Sequence, residues 1–178
     1  MEIFNIILNF EGEDFVDDID DNGRYSKWGI TIETLQNYQS GATITDLYEL
    51  DRTKASKIYE EMYLKEPKLD KLPKSVQLFA VDMCVNSGYE NMAITLQDAL
   101  NKTLSCFTNY RVLRDGIIGS KTIKALKDVE DEYCIKIFNM IFLEERKQFF
   151  IDIVNNSPKD KKFLEGWLNR IKKLKIYV

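Results

Sequence analysis

Between Pro73 and Gly88 the chain reads KSVQLFAVDMCVNS, a stretch whose apolar side chains fall on almost every side of a helix. A helix without a wet face has to be surrounded by other elements. Pro73 suits a first helical turn and opens it. The rest of the sequence supplies the surroundings in helical spacing. EIFNIILNF aligns Ile3, Phe4, Ile7 and Leu8 on one stripe, and Gly12 stops it. Thr31 caps IETLQNY, with Glu33 and Thr34 in its first turn. Asp51 begins RTKASKIYEEMYLK, which Pro67 closes. Two further helices run through MAITLQDALN and GSKTIKALKD, a long one from about Asp131 to Val154, and a last from near Pro158. In that last helix Phe163, Leu164, Trp167, Leu168, Ile171 and Leu174 share a face, with lysines opposite. Residues 13–30 lack helical spacing and read as an irregular loop or a small hairpin. The expected fold class is all-α: a compact helical domain with at most a minimal hairpin.

Asp82 stands inside the most apolar helix, where a charge is costly unless paired, so it predicts a buried salt bridge or a helix-cap bond rather than catalysis. The 178 residues suffice for about one domain, and no Gly-, Ser- or Pro-rich linker or repeat divides them. No apolar run reaches the roughly 18 residues that span a bilayer, so no stable membrane insertion is expected. The opening MEIFNIILNF has no basic segment before its apolar run and is a poor secretory signal. Synthesis in the cytoplasm is expected. Residues 1–22 carry no Lys or Arg, whereas the end, KDKKFLEGWLNRIKKLK, is basic. That asymmetry argues against a nucleic-acid protein. Cys84 and Cys134 fall in apolar helical stretches and Cys106 in a polar linker, without metal-type spacing, so all three read as reduced thiols. Histidine is absent. This removes Ser–His–Asp and Cys–His machinery and His-ligated zinc, leaving carboxylates to carry any acid–base chemistry.

Seven carboxylates lie between Glu11 and Asp21 with no counter-charge. DIDDNG, Asp18 to Gly23, resembles the opening of a calcium loop, but the position of the closing bidentate Glu holds Gly29. No metal is expected. Glu11 follows Phe4, Ile7 and Leu8 by seven, four and three residues, so a helix places its carboxyl on the apolar stripe. It also stands at the helix C-terminus, where the dipole disfavours negative charge. Both effects favour a carboxylic acid that keeps its proton and can donate it. Asp20, Asp21 and Ser26 follow. An ionised carboxylate across a cleft from a buried acid, with a hydroxyl to hold water, is the arrangement that cleaves a glycosidic bond.

EG, then D-x-x-D-x-G, then SKWGIT resembles the signature of the glycoside hydrolase family 108 N-acetylmuramidases, phage endolysins and secretion-activating muramidases with a lysozyme-like fold. ASKIYEEMYL is similar to the family's aromatic cleft helix and AVDMCVNSG to its Asp-x-x-x-Asn-x-Gly helix. LQDALN and RDGIIGSKTIKAL resemble its peptidoglycan-binding segment, and FLEGWLNRI its closing Gly-Trp-x-x-Arg helix. The resemblance implies a catalytic part over residues 1–88 and a peptidoglycan-binding helical part over 89–178, packed as one unit. It gives Glu11 the role of catalytic acid. Counted back from WGIT, Asp21 matches the second motif Asp and Ser26 the motif Thr; counted forward from Glu11, Asp20 matches instead. The chain departs from the pattern at Glu13 and Arg24, which replace glycines, and at Ile19, Asn22 and Tyr25, which replace prolines.

The activity so implied is hydrolysis of the β-1,4 bond between N-acetylmuramic acid and N-acetylglucosamine, with Glu11 as acid and Asp20 or Asp21 positioning water with Ser26. Trp28, Tyr63, Tyr25 and Asn86 are the candidate substrate-binding residues; Tyr59 reads rather as core. No cofactor is expected, and the partner is peptidoglycan met by a monomer in the periplasm or cell wall, after release or export. Two alternatives stay open: a lytic transglycosylase, and a non-catalytic cell-wall-binding accessory protein.

Overall fold

The computed structural model describes residues 2–17, 25–130 and 132–178, the last without the side chains of 132 and 133. The chain forms two compact units, Met1–Lys68 and Leu69–Val178.

In the first unit, helix α1 spans Glu2–Glu11 and buries Phe4, Ile7 and Leu8, the stripe visible in the sequence. Burying side chains of this size stabilises by about 1.5–3 kcal/mol each. A small antiparallel sheet follows: β1 (Phe15–Asp17), β2 (Tyr25–Lys27) and β3 (Ile30–Thr31), in that order. Phe15, Val16 and Asp17 face Lys27, Ser26 and Tyr25, and on the other edge of β2 Ser26 and Lys27 face Thr31 and Ile30. Thr31 then caps α2 (Ile32–Tyr38), its hydroxyl accepting from the Thr34 amide at 3.1 Å. A short helix, α3 (Ile44–Tyr48), opens on a reciprocal capping box between Thr43 and Asp46. The Thr43 contacts hold the Asp46 carboxyl below its usual pKa. Helix α4 (Arg52–Tyr59) begins at Asp51, whose carboxylate accepts from the Lys54 amide at 2.7 Å. The sequence predicts one helix to Lys65; in the structure Glu60–Lys65 continue α4 with π-type bonding.

In the second unit α5 (Lys74–Ser87) buries every residue from Val76 to Cys84, as its composition requires. It packs on α6 (Tyr89–Leu104) and α8 (Glu132–Asn156), which lie along each other. Helix α7 (Ser120–Asp128) adjoins α6, and α9 (Lys161–Leu174) lies on α8. Asp82 of α5 is fully buried and paired as expected. Arg146 of α8 donates to it at 2.7 Å, and Arg170 of α9 donates through Nε and Nη2 at 2.9 and 2.7 Å. Burial pushes the Asp82 carboxyl toward its neutral form, but the Arg146 and Arg170 charges outweigh that and hold its pKa below the ordinary value.

The loop between α6 and α7 is latched by one buried amide. The Gln97 side chain donates to Asp115 Oδ1 and the Ile117 carbonyl and accepts from the Asp115 and Gly116 amides, at 2.8 to 3.1 Å. Gly116 turns there at φ +72°. No helix among the described residues is long and apolar enough to cross a membrane.

Candidate active site

Lys27 and Ile30 pair across β2 and β3, so Trp28 and Gly29 form a two-residue hairpin loop, and both have positive φ, +57° and +71°. That is the type I′ pattern, which matches the twist of paired strands. Gly29 adopts it freely. Trp28 does not: a left-handed residue with a Cβ costs about 1–2 kcal/mol. Three contacts hold it. The Trp28 indole N–H donates to the Leu50 carbonyl at 3.1 Å, the Tyr59 hydroxyl donates to the Trp28 carbonyl at 2.9 Å, and the Arg52 guanidinium lies 5.6 Å from the ring centre.

Glu11 rests on this turn. A Cβ added to Gly29 would fall 2.6 Å from Glu11 Oε2 and 2.8 Å from its Cγ and Cδ, so the carboxyl-bearing arm lies directly on the Gly29 backbone. Glu11 is half-buried as the last residue of α1, and its Oε1 is shut off from solvent. The seat of the Glu11 side chain therefore comes from the WGIT segment. Gly29 serves twice: it permits the turn, and it leaves room for the acid.

Ser26 is half-buried at the centre of the sheet, opposite Val16 on one side and Thr31 on the other. Tyr25 and Lys27, its neighbours along β2, point to the other face. There Tyr25 stacks on Phe15 at 6.0 Å, Phe15 meets Tyr48 edge-on at 5.5 Å, and the Lys27 ammonium donates to the Tyr48 carbonyl. A groove of about 520 Å³ opens beside the turn, lined among others by Phe15, Lys27, Trp28, Tyr48, Asp51 and Arg52. It combines aromatic surface with charges of both signs. Trp28 offers this groove little: it is 7% exposed, with its N–H already engaged. Its main part is to support the turn. Tyr63 is half-buried in the π-type segment, 5.4 Å from the ring of buried Tyr59. Asn86 belongs to the second unit, half-buried in the last turn of α5. Asp20 and Asp21 lie outside the described residues, as does the calcium-like stretch Asp18 to Gly23. Among the described residues no cluster of three or more His, Cys, Asp or Glu side chains is arranged to hold a metal ion.

Residues 4–88 match the family description Glycosyl hydrolase 108, and residues 91–172 match a predicted peptidoglycan domain. The chain carries a glycosyl hydrolase family 108 domain over residues 4–88. It is thus a glycoside hydrolase, and the second match makes peptidoglycan its partner. The family 108 region contains the whole of the sheet, α4 and α5 and most of α1, and so the seat of Glu11. Among solved structures the chain is similar to Brucella abortus SagA, with 23% identity, a TM-score of 0.75, and coverage of 98% of this chain and 90% of that one. That likeness shows a shared fold. No curated protein matches the sequence.

Sequence reasoning missed Arg52 and the Leu50 carbonyl. Arg52 carries one visible signal. It occupies the first position of α4, where the helix dipole disfavours a cation, so its charge had to be engaged elsewhere.

Proposed function

We propose that this chain hydrolyses the β-1,4 bond between N-acetylmuramic acid and N-acetylglucosamine in peptidoglycan, with Glu11 as the general acid. The carrying observation is the placement of the Glu11 carboxyl against the Gly29 backbone, with one oxygen withheld from water. Removal from water favours the neutral acid, which is the form that protonates a leaving oxygen. A second carboxylate, Asp20 or Asp21, holds the attacking water together with the Ser26 hydroxyl. Inversion results if the two carboxyls stand about 6.5–9.5 Å apart and retention if about 5–5.5 Å. Tyr63, Tyr25 and Asn86 are the residues assigned to sugar contact, and the helical part from residue 89 onward holds the polymer. The substrate lies beyond the cytoplasmic membrane, so the protein acts in the periplasm or cell wall.

Digestion of purified sacculi followed by mass spectrometry tests this reading. Wild type is expected to release muropeptides with reducing muramic acid ends, and Glu11→Gln to release none while keeping the wild-type melting temperature. Ends carrying 1,6-anhydro rings would identify a transglycosylase instead. Binding to sacculi without release would identify an accessory protein. Turnover by Glu11→Gln would remove the assignment of the acid.

A further inference from the structure

We propose that Arg52 is a positioning residue for Glu11, locking the helix that carries the acid to the turn on which the acid rests. The inference builds on the reading of Glu11 as general acid. Arg52 lies at the start of α4, and its Nη2 donates to the Asn5 carbonyl at 3.1 Å and to Asn9 Oδ1 at 2.7 Å, both on α1. The same guanidinium sits over the Trp28 ring, 5.6 Å from its centre. One rigid, planar group thus touches the two elements between which Glu11 is placed. Asn9 stands two residues before Glu11 on α1, and Trp28 directly precedes Gly29 in the loop.

The chemistry requires arginine. The guanidinium presents a donor edge and a flat cationic face together, whereas a lysine ammonium supplies a point charge without the face. The donor edge meets two acceptors four residues apart on α1, which fixes the helix in rotation as well as in height. The face covers an indole whose backbone is left-handed and whose N–H and carbonyl are both bonded. Without the clip, α1 and the turn keep their own folds but lose their registration. The Glu11 carboxyl then drifts relative to the bond it must protonate. A displacement near 1 Å in a catalytic group costs about 10²-fold in rate. Arg52 also borders the groove beside the turn, which gives a rival role as a direct substrate contact.

Steady-state kinetics on soluble peptidoglycan fragments separate these roles, using wild type, Arg52→Met, Arg52→Lys, Asn9→Ala and the Arg52→Met/Asn9→Ala double variant. Expected are a kcat lowered about 10- to 100-fold in Arg52→Met with KM within twofold, partial recovery in Arg52→Lys, and a smaller kcat loss in Asn9→Ala. The double variant should be no worse than Arg52→Met, because both changes break one connection. Asn9 is exposed, so its truncation leaves folding intact. In a Trp167→Phe background Trp28 is the sole tryptophan, and its emission should shift in Arg52→Met whatever the activity.

An unchanged kcat in folded Arg52→Met overturns the proposal, as do a raised KM with kcat intact, independent losses in the double variant, or unchanged Trp28 emission. An inactive wild type, or an active Glu11→Gln, sinks the reading of Glu11 and this inference with it. An active wild type with an inert Glu11→Gln and an unaffected Arg52→Met sinks only the inference.

Discussion

Replacing Gly29 by Ala separates backbone strain from displacement of the acid. A Cβ at this position would stand 2.6 Å from Glu11 Oε2, whereas ordinary contact begins near 3.4 Å, so the carboxyl must withdraw by about 0.8 Å. The intruded atoms are the far end of a flexible side chain, so relief comes by moving Glu11 rather than by opening the fold. The remaining cost is that of holding Ala at φ +71°, about 1–2 kcal/mol. For a chain of this size that lowers the melting temperature by about 2–8 °C. A carboxyl displaced by most of an ångström should lose on the order of 10²-fold in kcat, roughly 2.7 kcal/mol of transition-state stabilisation. Gly41→Ala is the control. Gly41 has φ +79°, and a Cβ there would meet nothing within 4 Å, so it carries the same backbone cost without touching Glu11. Differential scanning calorimetry and muropeptide release should therefore show similar melting losses in the two variants and a kinetic loss only in Gly29→Ala. Equal activity in both, or a wild-type rate in Gly29→Ala, would refute the seat assigned to Glu11.

Asp82→Asn leaves two arginines around a neutral amide in the second unit and should cost about 3–5 kcal/mol, read by urea denaturation. Its pH dependence has a definite sign. The folded pKa lies below the ordinary 3.8, so the stabilisation is complete above that value and is lost as pH falls through the folded pKa. Wild type should therefore lose stability in that acid range, and Asp82→Asn should lack this part of the loss. Thiol alkylation followed by peptide mapping should mark exposed Cys106 first at pH 8, because burial pushes the Cys84 thiol up to about 11 and keeps it protonated.

The helices were legible wherever one stretch of chain holds both pattern and boundary. Phe4, Ile7 and Leu8 declare the buried side of α1, Thr31 declares the start of α2, and KSVQLFAVDMCVNS declares a helix buried all round. The pairing of Asp82 was legible as a need, though its partners lie 64 and 88 residues away and nothing local names them. The short helix α3 escaped although TITD carries a capping box, because five residues hold too little periodicity to register. The π-type end of α4 has no local signature at all. For the site, spacing placed Glu11 on an apolar stripe, but the surface it meets belongs to a hairpin eighteen residues on. Arg52 was harder still, since its partners are 43 and 47 residues back on α1, a relation that periodicity cannot report.

The most informative position is the one where local preference and fold disagree. A two-residue loop of this hand favours Asn, Asp or Gly at its first place, and the chain puts Trp28 there. A local rule broken in this way persists only if surrounding contacts over-determine it. The contacts are the Leu50 carbonyl, the Tyr59 hydroxyl and the Arg52 guanidinium, drawn from the segment that leads into α4 and from α4 itself. Both ends of α4 are thereby committed to holding a strained turn in place. The turn's other residue is the bare backbone on which Glu11 lies, and the arginine that covers the indole also grips the helix Glu11 ends. A smaller residue with its own preference for positive φ would relieve the strain and free the Leu50 carbonyl and the Arg52 guanidinium, keeping only the Tyr59 bond to its backbone carbonyl. It would also remove the indole that ties the hairpin to α4, and with it the fixed distance between the acid's helix and the acid's seat.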